Sequence, residues 1–158
     1  MTIELVATVV AVVALLATAV VYGTDVFCAV VMRPALAAVG DRALTSVIGR
    51  VHRYGDRRMP VPGVLGLVAA AVVAILATVA TRWVQAVAAA AALVFLVAWT
   101  VIYTRVSAPI NRRFTAAAEA GETPSDARVL QQNWDRVITV RATLQGLAVV
   151  GLSVALIG

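Results

Sequence analysis

Lysine is absent from this sequence, and charge of either sign is scarce: 13% of the 158 residues are charged, against 62% hydrophobic, with a mean hydropathy of +0.96. A soluble domain carries roughly a quarter charged residues, so water is excluded as the solvent of most of this chain. Cys28 is the only cysteine, which excludes an intrachain disulfide, a CxxC redox pair and a cysteine-based zinc cluster. A single histidine, His52, excludes a bis-histidine haem site, and no segment carries the paired His and Glu of a helical metal site, so neither metal nor cofactor is expected. No basic residue precedes the first apolar run, which opens Met1, Thr2, Ile3, Glu4, and the expectation is a retained helix rather than a cleaved signal.

What is present is apolar sequence in span-sized runs. A bilayer crossing takes about 20 apolar residues. Runs of this kind extend from about Leu5 to Met32, Gly63 to Ala80, Trp83 to Thr104 and Val137 to Gly158. The expected fold is therefore all-α: a single integral membrane domain, a four-helix bundle with amphipathic helical connections on the cytoplasmic side. Thr81 and Arg82 alone separate the second and third runs, which predicts a tight antiparallel hairpin. Alanine crowds positions 69–71 and 88–92, and small residues let membrane helices approach closely.

The net charge of +5 would raise the question of nucleic acid in a soluble protein. Here the arginines fall between the apolar runs and read as topology signals, so no nucleic-acid partner is expected. Arg33, Arg42, Arg50, Arg53, Arg57 and Arg58 lie in the first long connection, and Arg105, Arg112, Arg113, Arg128 and Arg136 in the second. The positive-inside rule puts both connections in the cytoplasm and both termini outside a multi-pass protein of the cell membrane. Leu36, Val39, Ala43, Val47 and Val51 recur at spacings of three and four, predicting an amphipathic helix over that stretch. Gly121 to Pro124 reads as a break, after which Ser125 can cap a helix running through Trp134 into the last span.

Asp25 is the most informative position, because a carboxylate near the centre of a span costs about 2.5–3.5 kcal/mol and calls for a partner. Arg141, one turn inside the last span, matches it in depth, and the two are expected to pair. A register-fixing ion pair, or snorkelling of Arg141 to the interface, accounts for them without any ligand. Helical spacing puts Tyr22 on the face of Asp25, with Thr24 and Cys28 on another. Cys28 by itself reads as a small buried hydrophobe rather than a nucleophile.

His52 sits among arginines, which disfavour its charged form, and a neutral imidazole can accept a proton; an interfacial residue among headgroups is the plainer alternative. Tyr103, Ser107, Pro109, Asn111 and Arg112 cluster where the third span ends, and Trp134 with Asp135 leads into the fourth. For Trp134 and Tyr103 the plain reading is anchoring or packing, and for Asn111 a capping or loop-fixing role.

These residues also carry a resemblance. Gly23 and Phe27 before Arg33-Pro34, Met59-Pro60, Pro109-x-Asn111, and Trp134-Asp135-Arg136 with Arg141 resemble the small four-span membrane proteins named for fungal anthrone oxygenases, over nearly the whole chain. Where that family often has Asn or His four residues after the tryptophan, this chain has Ile138. The resemblance implies oxygenation of a polycyclic anthrone to an anthraquinone without metal or flavin: a base removes an acidic C–H proton and the carbanion passes an electron to O2. Such chemistry needs an apolar pocket, one base and groups that stabilise an enolate oxygen. On that basis His52 or Asp25 would be the base, Arg141 and Asn111 the oxyanion stabilisers, and Trp134, with Tyr22 and Tyr103, the contacts to a hydrophobic small molecule. The competing reading is a non-enzymatic scaffold, lipid-binding protein or partner subunit, with the membrane itself as partner; a homo-oligomer is left open. A proton-coupled carrier is suggested by Asp25 alone, without the repeats and broken helices carriers show. Convergence of the polar groups, as opposed to their spreading along the headgroup plane, separates the site readings from the scaffold.

Overall fold

The computed structural model describes residues 3–158, and among them there is no strand. The chain runs as α1 (Ile3–Phe27), a π-helical turn (Cys28–Met32), α2 (Arg33–Ala37), α3 (Asp41–Arg58), α4 (Pro60–Val79), α5 (Trp83–Ile102), a second π-helical turn (Tyr103–Ser107), α6 (Ala108–Ala120) and α7 (Ala127–Ile157). Four continuous helical runs, Glu4–Ala37, Pro60–Val79, Trp83–Ala120 and Ala127–Ile157, are long and apolar enough to cross a membrane. At about 1.5 Å per residue even the shortest reaches about 30 Å, the thickness of the hydrocarbon layer. This is a multi-pass membrane protein.

Both π-helical turns end just before a proline. Arg33 donates its backbone N–H to Cys28 O and Ala108 donates to Tyr103 O, each five residues back, and Pro34 and Pro109 follow. A proline in a helix lacks a donor and crowds the carbonyl four residues before it, and widening the turn relieves that clash without breaking the helix.

The chain divides into two compact units. The first takes α1 up to Gly23, α4 from Val61, α5 up to Trp99 and α7 from Thr143. Its core is small: Ala14, Ala69, Ala70, Ala92 and Ala148 with Leu96 and Leu152, and beside them Ala11, Val73, Ala89 and Ala155. Glycine brings backbones still closer, since a Cβ on Gly66 would lie 2.9 Å from Thr18 Oγ1 and one on Gly151 2.9 Å from Ala88 O. Leu16, Ile75 and Val87 stand more than half exposed on the outside, as lipid-facing residues do. A cavity of about 40 Å³ is lined by Glu4, Thr8, Arg82, Gln85 and neighbouring alanines. The α4–α5 hairpin closes with Arg82 N–H on Ala77 O and Thr81 N–H on Thr78 O, and this places the β-branched Thr81 at φ 57°.

The second unit is Thr24–Pro60 with Thr100–Ala142. Leu36, Leu44, Ile48, Ile110, Phe114, Leu130, Trp134 and Ile138 form its core, with Cys28, Ala29 and Met32 packed against it. α3 lies hard against α6 at Gly49, where a Cβ would sit 2.4 Å from Phe114 O and 2.5 Å from Ala118 Cβ; Thr115 Oγ1 donates to Gly49 O. The predicted stripe is corrected here. No helix runs unbroken from 35 to 51, because α2 ends at Ala37 and α3 starts after an extended Gly40. Of the stripe only Leu36 is buried; Val39, Ala43, Val47 and Val51 are exposed, and α3 buries Leu44, Thr45, Ile48, Gly49 and His52 instead. Arg128 of α7 closes the break: its guanidinium bonds Leu36 O at 3.1 Å, Val39 O and, at 2.6 Å, the Asp41 carboxylate.

α6 ends as expected at Gly121, in a left-handed conformation (φ 71°) with Glu122 N–H on Ala117 O and Gly121 N–H on Ala118 O. α7 then begins at Ala127; Asp126, not Ser125, supplies the first helical carbonyl, to Leu130 N–H. The Asp126 carboxylate meanwhile takes both ends of the Arg113 guanidinium at 3.0 Å.

Candidate functional site

Within the second unit the polar side chains converge. α1 delivers Asp25 just before its π-helical turn, the α5 extension delivers Tyr103 and Ser107, α6 Asn111, α3 His52 and Asp56, and α7 Trp134 and Arg141. Trp134, Ile138 and Arg141 are buried on one face of α7, so its helical period carries the ring and the guanidinium into the same core.

Arg141 is the hub. Its NH2 donates to Asp25 Oδ1 at 2.7 Å and its NH1 to Ser107 Oγ at 2.9 Å, and both charged side chains are over nine-tenths buried. The guanidinium carbon stands 5.4 Å from the Tyr103 ring centroid and 5.7 Å from that of Trp134. Two aromatic faces and a carboxylate thus replace the water that burial removes. A second network starts from the same two rings. Tyr103 OH donates to Asp56 Oδ1 at 2.8 Å, Asn111 Nδ2 to the same oxygen at 2.9 Å, and Trp134 Nε1 to Asn111 Oδ1 at 3.0 Å. The indole can only donate and the carboxylate can only accept, which fixes the orientation of the Asn111 amide between them.

His52 lies at the edge of this arrangement, 7% exposed, its ring 5.6 Å from that of Trp134 and tilted by 48°. Its Nε2 is buried with no hydrogen-bond partner among the described residues. Burial, and secondarily the positive charge of Arg141, pushes the imidazole down to about 3 from its ordinary 6.5, so it is neutral throughout the physiological range.

Asp25, His52, Tyr103, Asn111, Trp134 and Arg141 therefore share one polar core. Tyr22 belongs to the first unit, where its ring fills the space over Gly146: a Cβ there would lie 3.1 Å from Tyr22 Cε2. Asn111 caps no helix; it sits inside α6 and bridges Asp56 to Trp134. Cys28 is half-buried against the apolar core, whereas Thr24, one turn before it, is exposed. Ile138 is fully buried, so aliphatic packing occupies the place where the resembled family often has a polar group. Among the described residues no group of three or more His, Cys, Asp or Glu comes together as a metal site would require.

No family model, no curated protein and no solved structure matches this chain.

Sequence reasoning missed Asp56 and the part played by Ser107. Asp56 stands among Arg53, Arg57 and Arg58 and reads as a neutralising charge in a basic run. The signal was its spacing: it follows His52 by one helical turn, and Ser107 precedes Asn111 by one, so each shares a face with a residue already singled out. Arg128 gave no such signal, since its acceptors are backbone carbonyls in a helix break more than eighty residues away.

Proposed function

We propose that this chain is an oxygenase-like protein of the cell membrane, its long connections cytoplasmic and its termini outside, that acts on a flat hydrophobic ring compound with an acidic C–H bond. The observation that carries the reading is His52: a neutral, buried imidazole with an unengaged Nε2, set against the Trp134 ring in the same core as a buried cation. Of the two bases the sequence leaves open, His52 is favoured, because the Asp25 carboxylate is held by Arg141. Cys28, Ala29 and Met32, partly buried, pack against this core and supply its apolar neighbours.

In this scheme the His52 imidazole takes the C–H proton as the enolate forms beside it. The new anion offsets the burial and the Arg141 charge that disfavour the imidazolium in the free protein. Arg141 stabilises the enolate oxygen, and Trp134 is the wall for the ring. The carbanion gives one electron to O2, the resulting radical pair joins as a hydroperoxide, and loss of water leaves a new C=O, so that one CH2 and one O2 become one C=O and one H2O. Asn111 gives one N–H to Asp56 and its oxygen to Trp134, which positions the indole, and its second N–H is the donor it could offer to the enolate oxygen. The deciding assay is aerobic turnover of a panel of anthrones by detergent-purified protein, following quinone absorbance and O2 uptake. Quinone and O2 should track one to one, with His52→Gln slower by about 10²–10⁴-fold. Full turnover in both His52→Gln and Asp25→Asn removes the base from the scheme, and no protein-dependent quinone across the panel returns the chain to the scaffold reading.

A further inference from the structure

The exposed half of α3 is not uniform. At about 100° per residue, Ala43, Val47, Val51 and Tyr54 fall together in one sector of it, while Arg42, Arg50, Arg53 and Arg57 fall in the adjoining sector. The apolar sector is open: Val47 is 49% exposed, Val51 38% and Tyr54 53%. The third sector, Leu44, Ile48 and His52, is already committed to the core. Arg58 falls within the apolar sector, and its guanidinium stands over the Tyr54 ring at 5.2 Å, a cationic tip that a long side chain can lift from an apolar surface to the headgroups. Of the exposed arginines on α3 only Arg53 is ion-paired among the described residues, to Glu119 at 3.2 Å; Arg50 bonds the Ser46 hydroxyl, and Arg42, Arg57 and Arg58 meet no carboxylate. Only Met59 separates α3 from the apolar run that begins at Pro60.

We infer that α3 is an interfacial helix, with Ala43, Val47, Val51 and Tyr54 sunk into the acyl boundary and Arg50, Arg57 and Arg58 binding the phosphates of anionic phospholipids. Three features select lipid as the occupant. The chain enters a membrane-spanning run immediately after α3. The apolar and cationic sectors lie side by side, as a bilayer surface stratifies oil and phosphate. The surplus of unpaired arginine complements a negative headgroup layer, toward which each basic residue contributes about a fivefold preference. The inference does not depend on the oxidation scheme.

Spin labels test it in the full chain, on a Cys28→Ala background. In phosphatidylcholine nanodiscs with and without phosphatidylglycerol, labels at Val47→Cys and Val51→Cys should be open to O2 and shielded from a water-soluble nickel chelate. A label at Arg42→Cys should show the reverse. Native mass spectrometry should give a phosphatidylglycerol preference that drops about fivefold for each of Arg50→Gln, Arg57→Gln and Arg58→Gln and survives the matching lysine variants. Nickel access at Val47 and Val51 equal to that at Arg42 overturns the inference, as that sector would then face water or await a soluble partner. So does dipolar coupling between copies at Val51, which would make a second copy the occupant, and so does an unchanged lipid preference in the glutamine variants.

Discussion

Replacing Asp25 by leucine leaves the Arg141 guanidinium with Ser107 and two ring faces but no counter-charge, at a site where both side chains are over nine-tenths buried. An arginine cannot shed its proton to escape this, so the cost should fall in the range of about 3–5 kcal/mol found for breaking a buried pair from one side. Arg141→Met should cost about as much, by stranding the Asp25 carboxylate. Removing both charges together leaves only the lost Ser107 bond and ring contacts, about 2 kcal/mol, so the double variant should be more stable than either single one. The coupling energy is then about 4 kcal/mol or more, well above the roughly 0.6 kcal/mol typical of hydrogen bonds between membrane helices. Arg113 and Asp126, bonded twice at 3.0 Å but 55% and 41% exposed, supply the control and should couple by at most about 1 kcal/mol. The assay is a double-mutant cycle by reversible unfolding in mixed micelles. Single losses below about 1 kcal/mol, or additive singles, would refute the argument that Arg141 holds its charge by virtue of Asp25.

Gly49→Ala should destabilise by about 1–3 kcal/mol or more, measured in the same unfolding assay, because its Cβ meets backbone at 2.4 Å and α3 must move off α6. Thr81→Gly should stabilise by about 1 kcal/mol, read as a higher melting temperature, since a β-branched residue is held at φ 57°. With His52 held down to about 3 when folded against 6.5 when free, the unfolded chain takes up a proton that the folded one refuses. Stability should therefore fall as pH drops below about 6.5, by about 2 kcal/mol between about pH 7 and pH 5, and His52→Gln should lack that slope.

The sequence was most informative where one local property decides the outcome. Span-length apolar runs and the tight turn in the two-residue gap between the second and third of them follow from hydropathy, and the Gly121 stop from backbone preference, and each is present in the structure. The pairing of Asp25 with Arg141 was also legible, because a charge in a span has few partners to choose from. The face that α3 buries was not. Val47 and Val51 are as apolar as Ile48, so periodicity finds two stripes on that helix and cannot rank them, and the close approach of α6 at Gly49 decides for Leu44, Ile48 and His52. Asp56 and Arg128 were hidden for a related reason: in the sequence they are ordinary charges in polar connections. Only tertiary packing brings Tyr103 and Asn111 to one, and the open carbonyls of Leu36 and Val39 to the other. Local chemistry along the chain thus determined which segments are helical and apolar. Contacts between residues distant in sequence decided which polar groups share a core, because burial and hydrogen-bond partnership are properties of neighbours in space.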